Sequence, residues 1–561
     1  MSRTSEPAVE TLSALDGVRV LAERARQRLS RVPQDRWIVL LAGLLASASF
    51  ALGEQVAIRD GLGWEGEAYA RWVQDLPHEM FDVGIDAYCI QRVLPAAVLH
   101  YTFRALHISA TTKHIVRGYA VLNVLSLMLV AGFWCATARR LKISDRGKWL
   151  GFIGLFLNFA VLKYSGYLPV MTDAPAFASG AAMLYFYLTR NRWGLWGVTA
   201  LSAFVWPTQL YIGTILSLFP RGQDAGYLAV EKDSSLEVIR GAPWGLNWFL
   251  AGFVSWCWLL WSLQACQRIQ IPMFGGLFPN RSVLPLSLCI STLYLFFGLS
   301  ALLNDARLFR LPRLSRRWLV TAAVSIVLAV GLKAALQTLA GRPGYVGLPV
   351  YLFTIGITAV AKPGLFLVAH LVFYGPFWLL AMFAWRPICL AIQAAGSGVI
   401  AVAAIGLCHA LDAESRHLFY LVPILVPYIV LVIDRWNWSR GQITLLVVVS
   451  LITSKCWLVI GGPFVDNANA YPDQLFWMNE GLFMADVTYV VQAVVCVACA
   501  IALYFVLVRG RAAQSGSPDY AVRFAATATS SPIPPRSPLR PARIAAGRPA
   551  RSGRRSRRCG R

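Results

Sequence analysis

Apolar runs of about 20 residues recur along most of the 561-residue sequence, and this repetition limits the fold more than any other feature. In lipid, only helices and closed barrels satisfy their backbone hydrogen bonds, and uninterrupted apolar runs favour helices because barrel strands alternate in polarity. Charged residues amount to 14% of the chain, whereas soluble domains have about 25%. The sequence therefore predicts an all-α, polytopic integral membrane bundle.

The number and direction of the spans follow from the apolar runs and the basic residues between them. We predict about twelve transmembrane helices. The more regular predicted spans are 37–58, 115–138, 149–170, 176–188, 318–338, 364–385, 388–410, 418–434, 442–461 and 488–508. The basic loops 139–148, 190–192, 307–317 and 435–440 are expected inside, because positive charge is retained on the cytoplasmic side. The first loop, the turn at Asp173 and residues 412–417 then face outside.

The middle of the chain does not follow this alternation. Three apolar segments, at 194–220, 247–265 and 283–303, lie between two inner stretches, and three spans cannot begin and end on one side. Proline interrupts the hydrogen-bond ladder of a helix, so the segment containing Trp206 and Pro207 is expected to be re-entrant or interfacial.

Three regions are predicted along the chain. Residues 1–36 form a basic cytoplasmic lead-in, residues 37–508 form the transmembrane domain with its first extracytoplasmic loop at 59–114, and residues 509–561 form a disordered, basic cytoplasmic tail. The tail holds thirteen arginines and one acidic residue, so it supplies +12 of the net charge of +24. This placement indicates contact with anionic membrane lipids rather than with nucleic acid.

The first loop contains the longest acidic stretch between two predicted spans. Its carboxylates are Asp60, Glu65, Glu67, Asp75, Glu79 and Asp82. Residues 90–106 are amphipathic and predict a helix lying in the membrane interface. Carboxylates beside lipid cost free energy unless they are solvated, paired or bound to metal. A carboxylate can take the proton of an acceptor hydroxyl, and Arg or His can hold a leaving phosphate. We therefore expect this loop to carry chemistry at the outer surface.

Four short motifs stand in order along the chain. They are Glu65-Gly66-Glu67-Ala68-Tyr69 after the first span, Gln91-Arg92-Val93-Leu94-Pro95, Thr172-Asp173-Ala174-Pro175 at the end of the third span, and Glu414-Ser415-Arg416 before a span that contains Pro423 and Pro427. In order and sidedness they resemble the acidic-Gly-x-x-Tyr, Arg-x-Leu-Pro, second acidic and late Glu-x-Arg motifs of the C-type (GT-C) superfamily of polytopic membrane glycosyltransferases.

That resemblance implies an enzyme that moves a sugar from a polyprenyl-phosphate donor to the hydroxyl of a lipid or glycan acceptor, with inversion. The reaction would take place on the periplasmic side of a bacterial inner membrane. The superfamily's usual aspartate falls on Glu65, and Asp60, also followed by glycine, is a rival for the catalytic base. Asp173 would orient the acceptor or a metal. Substrate and phosphate binding would involve Arg92, Glu414, Arg416, His417, Glu67 and Tyr69.

No cofactor is required by the sequence. There is no HExxH motif and no Cys/His cluster, which argues against a zinc site. A divalent cation held by Glu65, Glu67 and Asp173 is an open alternative. The absence of a Walker motif, and of a GxGxxG motif after a strand, gives no indication of direct nucleotide use.

The candidate residues also have purely structural interpretations. Asp60 could cap the helix that follows it, and Asp173 could cap the next span. Glu67 and Arg71 are four residues apart and could form only a surface ion pair. The arginines of the motifs could be anchors whose charged ends reach the membrane surface.

A transporter or flippase for a lipid-linked or small anionic substrate is the competing function. It would use the same arginines and carboxylates as a binding site, and it would place charged residues at mid-membrane. Lys333 is the main charged residue well inside a predicted span, whereas most other charges lie at span ends. A non-catalytic assembly subunit, a third alternative, would tolerate the loss of Asp173.

Overall fold

The computed structural model describes residues 33–63, 65–219, 245–268, 282–305, 308, 316–344, 347–436, 438–460, 484 and 486–508. Residues 1–32 of the predicted lead-in and the whole predicted tail lie outside these described residues. Within the described part, the regular elements are all helical and no β-strand occurs. The predicted all-α class is confirmed.

Twenty α-helices follow one another in the described part of the chain. They are α1 (Gln34–Leu52), α2 (Gly66–Gln74), α3 (Leu94–Ala105), α4 (Thr112–Arg140), α5 (Asp145–Phe156), α6 (Ser165–Tyr167), α7 (Asp173–Thr189), α8 (Arg192–Ser202), α9 (Gln209–Leu218), α10 (Leu246–Arg268), α11 (Leu284–Leu302), α12 (Arg316–Leu339), α13 (Leu348–Thr358), α14 (Leu365–Tyr374), α15 (Phe377–Phe383), α16 (Trp385–Ala395), α17 (Ser397–His409), α18 (Val422–Ile433), α19 (Arg440–Thr453) and α20 (Asp486–Leu503). Short 3₁₀ or π turns lie at Ile58–Gly61, His78–Gly84, Cys89–Arg92, Ala160–Tyr164, Ser415–Leu418 and Tyr504–Val508.

Six helices in the described part, α1, α4, α10, α11, α12 and α20, are long and apolar enough to cross a bilayer. Two bent helix pairs would raise the number to eight if each pair is one span. The longest helix, α4, has 29 residues, which at about 1.5 Å per residue exceeds the roughly 30 Å thickness of the hydrocarbon core. These helices indicate an integral membrane protein. The count of twelve spans and their orientation stay predictions.

The predicted span 149–170 is not one continuous helix. The chain bends by 55° between α5 and the segment formed by the π turn Ala160–Tyr164 and α6. Asn158 accounts for the bend, because its amide donates to the carbonyls three and four residues before it, and its side-chain oxygen accepts the N–H of Val161. A side chain that competes for the backbone groups of a helix interrupts the ladder there.

The predicted spans 364–385 and 388–410 are each divided as well. Gly375, with φ of 81°, separates α14 from α15, and Gly396, with φ of 119°, separates α16 from α17. Such a positive φ suits glycine and ends a right-handed helix. Helices α15 and α16 meet at an angle of 88°, so the boundary between the two predicted spans falls at a sharp bend.

The predicted break at Trp206 and Pro207 is confirmed, because α8 and α9 are separate helices on its two sides. Its re-entrant course stays a prediction. The carbonyl of Phe204 in the break accepts the N–H of Leu94 at 2.9 Å. This bond ties the break to α3, the helix that the amphipathic pattern of residues 90–106 predicted.

The first loop is held against the bundle by its own helices. Helices α2 and α3 pack on each other, and both also contact α4. Helix α4 in turn packs along α1 and α7, and α18 packs against α5 and α7. The segments that carry the four sequence motifs are therefore attached to one connected set of helices.

The predicted topology places the loop at 59–114 outside and the loop at 139–148 inside. Cysteines introduced at Asp82 and Asp145 must then be labelled from opposite faces of the membrane. Their side chains are 69% and 76% exposed. We expect Asp82→Cys to react with a membrane-impermeant maleimide in intact cells, and Asp145→Cys to react only after permeabilisation. Wild type serves as the control for the native cysteines. Labelling of both positions from the same face would contradict the predicted topology.

Candidate functional site

Glu65 of the first loop lies between two arginines that come from different parts of the chain. Its Oε2 is 2.9 Å from Nη1 of Arg92, and its Oε1 is 3.4 Å from Nη2 of Arg416. Arg92 is 27 residues away in the sequence, whereas Arg416 is 351 residues away. The structure thus brings the first, second and last sequence motifs together. These three residues are called the Glu65 cluster below.

Arg92 is only 2% exposed, and several neighbouring groups stabilise its positive charge. Its Nη2 donates to the Tyr88 hydroxyl, and its Nη1 donates to the Tyr69 hydroxyl at 3.3 Å as well as to Glu65. The guanidinium also lies over the rings of Tyr88 and Trp206, 4.5 and 4.6 Å from their centroids. Ring faces attract a cation electrostatically. The break between α8 and α9 therefore supplies one wall of the arginine's site.

Glu65 is held in its charged form. Burial by itself would raise its pKa, but Arg416, Arg92 and a hydrogen bond from the Tyr69 hydroxyl outweigh burial and lower the pKa to about 2. The Glu65 side chain still keeps 35% of its surface exposed, so a polar ligand can approach it. A carboxylate with so low a pKa is a weak base at neutral pH.

Asp173, the acidic residue of the third motif, is the first residue of α7 and precedes the predicted span 176–188. It is 3% exposed, and neither of its carboxylate oxygens has a hydrogen-bond partner among the described residues. Burial raises its pKa to about 6, and the charges of Arg416 and Arg92 oppose this only in part. Two carboxylates that feel the same two arginines therefore differ strongly in basicity.

A cavity of about 10 Å³ lies beside Asp173, with Asn123, Ser165 and Phe419 among the residues of its wall. Such a volume holds about one water-sized group, and a hydroxyl is of that size. The cavity thus offers a small polar group a place beside a carboxylate that has no other partner in the described part of the chain.

Two of the predicted site residues lie apart from the Glu65 cluster. Glu67 is 44% exposed and pairs with Arg59 and Arg71, which agrees with the surface ion pair of the structural interpretation. Asp60 is exposed, and no hydrogen bond or ion pair among the described residues joins it to the cluster. Its side chain does not cap α2 either. The structure therefore joins neither residue to the Glu65 cluster.

The structure also does not support the alternative in which three carboxylates bind a divalent cation. Glu65, Glu67 and Asp173 do not form a common group of candidate ligands in the part of the chain that the structure describes. A cation of this kind needs several oxygens within about 2.0–2.6 Å of one point. These three carboxylates are therefore not a cation site in this arrangement.

The late loop, residues 410–418, gives Arg416 and His417 different neighbours. Nε of Arg416 donates to the Glu414 carboxylate, beside the contact of Arg416 with Glu65. Nδ1 of His417 lies 2.6 Å from Oδ2 of Asp412. Arg416 thus stands at the Glu65 cluster, whereas a phosphate would have to compete with Asp412 for His417.

Three residues that the sequence motifs did not indicate, Tyr351, His409 and Asp412, meet beside His417. His409 and Asp412 lie eight and five residues before His417, so a search for closely spaced ligand types would have found them. Tyr351 comes from α13 and gives no signal in the sequence. Trp206 was predicted as part of a helix break but not as a neighbour of the Glu65 cluster.

No protein-family model, curated protein or solved structure matches the chain. The resemblance to C-type glycosyltransferases therefore rests on the four motifs alone, and the function has to be argued from the chemistry of the site.

Replacement of Arg92 tests how far the fold depends on the buried cation. Loss of one partner of a fully buried ion pair costs about 3–5 kcal/mol. Arg92→Leu removes the buried partner of Glu65, and its cost should lie below that range because Glu65 is 35% exposed. We expect a clear fall in the melting temperature of the purified protein. Arg71→Leu is the matched control, because Arg71 is 51% exposed and surface ion pairs contribute about 0–1 kcal/mol. Equal melting temperatures for the two variants would contradict this role of Arg92.

Proposed function

We propose that the protein is a membrane glycosyltransferase that moves a sugar from a polyprenyl-phosphate donor to a hydroxyl acceptor on the non-cytoplasmic face of a bacterial inner membrane. The observation that carries the proposal is that the two arginines of the Glu65 cluster also act on a second, buried carboxylate, Asp173, whose pKa is raised while that of Glu65 is lowered. Together they offer cations for a leaving phosphate and a base for an acceptor.

The arginines of the cluster are suited to the donor phosphate. Arg416 is 14% exposed and already binds two carboxylates, Glu65 and Glu414. A phosphodiester presents similar oxygens to a guanidinium, and bidentate pairing with arginine is strong. Donor binding would therefore exchange a carboxylate of the protein for the phosphate. Donor binding would also remove one arginine from Glu65 and so raise the pKa of the Glu65 carboxyl.

Asp173 is the better base of the two carboxylates. A base works best when its pKa lies near the working pH, and the pKa of Asp173 is raised to about 6 while that of Glu65 is lowered to about 2. The motif resemblance puts the base at Glu65, whereas the electrostatics favour Asp173 as the base and Glu65 as the residue that positions the arginines.

The reaction then balances in one step. The acceptor oxygen attacks the anomeric carbon, its proton passes to Asp173, and the bond from the anomeric carbon to the phosphate oxygen breaks. The electron pair leaves with the polyprenyl phosphate, whose charge Arg416 and Arg92 stabilise. Attack opposite the leaving group inverts the configuration of the sugar.

Substitution of the carboxylates separates this enzyme from a transporter. Asp173→Asn and Glu65→Gln are nearly isosteric, and loss of a general base typically lowers the rate about 10²–10⁴-fold. We expect sugar transfer by the purified protein to fall by that order in Asp173→Asn and also to fall in Glu65→Gln. Donor binding should persist in Asp173→Asn. Asp82→Asn, at a position whose side chain is 69% exposed, is the control that keeps full activity.

Full transfer by both Asp173→Asn and Glu65→Gln would refute the carboxylate mechanism. If wild type transfers no sugar from any polyprenyl-phosphate donor but moves a lipid-linked sugar across reconstituted vesicles, the protein is a transporter instead.

The pH profile of transfer identifies which carboxylate accepts the proton. The pKa of Asp173 is raised to about 6, and its protonated form cannot act as a base. The value of kcat/KM, which reports the groups of the free protein, should therefore fall about tenfold per pH unit below about pH 6. Glu65, with a pKa near 2 in the free protein, would give no such fall above pH 4. If the fall near pH 6 persists in the residual activity of Asp173→Asn, it has another source.

A further inference from the structure

We infer that the late loop carries a site for one transition-metal ion of the Zn²⁺ class, held by His409, Asp412 and His417. Candidate ligand atoms of these three residues all lie within 4.8 Å of one another. His409 and Asp412 are buried at 8% and 3% exposure, and the His417 side chain is 13% exposed. None of the three belongs to the Glu65 cluster, and metal binding does not depend on the proposed sugar transfer.

Each of the three ligands has its other polar atom engaged by a partner outside the group. Nδ1 of His409 lies 2.7 Å from the Tyr420 hydroxyl, and Nε2 of His417 lies 3.5 Å from a Glu414 oxygen. Oδ1 of Asp412 accepts the backbone N–H of Glu414 at 3.1 Å. Such partners fix the orientation and tautomer of metal ligands. The remaining atoms, Nε2, Nδ1 and Oδ2, are directed at a common region.

The contacts inside the group call for positive charge. Nδ1 of His417 lies 2.6 Å from Oδ2 of Asp412, and a protonated imidazole donates its Nδ1–H across this contact. A metal ion can replace that proton only if the two atoms move apart, because ligands of one Zn²⁺ at about 2.0–2.2 Å stand more than about 3 Å from each other. The Tyr351 hydroxyl also contacts His409 Nε2, Asp412 Oδ2 and His417 Nδ1, yet it has only one proton to donate. Three atoms that can each bind a metal therefore surround one hydroxyl oxygen.

The ligand set selects the kind of metal. Two imidazoles and one carboxylate are nitrogen and oxygen ligands that Zn²⁺ takes at about 2.0–2.2 Å, and a water completes many such sites. The Tyr351 hydroxyl lies beside all three ligand atoms. Mg²⁺ and Ca²⁺ prefer sites made of oxygen alone.

The ion would fix the loop that presents Arg416 to the Glu65 cluster. Arg416 lies next to His417 in sequence, and its Nε is bonded to Glu414, which also supports His417. Metal binding would therefore hold the 410–418 loop and α13 together through Tyr351, and so keep the Arg416 guanidinium in place.

Metal content of the full chain, purified in detergent without chelators, tests the site. We expect about one Zn²⁺ per chain by elemental analysis, and a Co²⁺-substituted protein with the visible absorption of nitrogen and oxygen ligation. His409→Asn and Asp412→Asn should each lose most of the metal. Glu414→Gln should weaken binding about 10–100-fold, as loss of an outer partner does. Zn²⁺ added to chelator-treated wild type should raise its melting temperature.

His370→Asn is the matched control, because His370 contacts Ser415 and the Ala410 carbonyl of the same loop but does not belong to the ligand group. It should keep its metal. Equal loss of metal in His370→Asn would overturn the assignment of the ligands. Wild type that holds no Zn²⁺, gives no Co²⁺ spectrum and does not gain stability with Zn²⁺ would overturn the site, and would show that protons alone satisfy the group.

Discussion

A guanidinium that is removed from water needs neighbouring groups that compensate its charge. In this protein the site is built from the groups that do so for Arg92. The Glu65 carboxylate, two tyrosine hydroxyls and two aromatic faces surround Arg92, which is 2% exposed. The first loop, the turn before α3 and the break between α8 and α9 all contribute to this shell. Desolvation of an unpaired charge would cost several kcal/mol, so these segments have to stay together.

One consequence is that the pKa values of Glu65 and Asp173 differ strongly although the charges of the same two arginines act on both. Glu65 touches the guanidinium groups and stays charged, whereas Asp173 is buried without direct partners among the described residues. Direct contact lets Coulomb attraction exceed the desolvation penalty, and without contact the penalty prevails. A single pair of cations thus yields one permanent anion and one carboxyl that titrates near neutrality.

Much of this was accessible from the sequence because hydropathy and charge are local properties. The all-helical class, the break at Pro207, the helix near residues 90–106 and the motifs that hold Glu65, Arg92 and Arg416 could all be recognised. The bend at Asn158 and the divisions at Gly375 and Gly396 could not, since they arise inside apolar runs from side-chain hydrogen bonds and backbone dihedrals that hydropathy does not record.

The contacts of the site were less predictable than its members. Asp60 is followed by glycine and Glu67 lies inside the first motif, yet their side chains are exposed. Conversely, Tyr351 reaches His409 and Asp412 from a helix about 60 residues earlier. Such long-range contacts depend on how the helices pack, and that packing cannot be read directly from a single sequence.

The 351 residues that separate Glu65 from Arg416 have a consequence for how the protein is made. Ribosomes add about 5–20 residues per second, so Arg416 is synthesised on the order of 20–70 s after Glu65. Arg92 follows Glu65 by only 27 residues and can pair with it almost at once. During membrane insertion, Glu65 therefore pairs with Arg92 alone. The cluster is completed only when the last third of the chain, which contains Arg416, has been made.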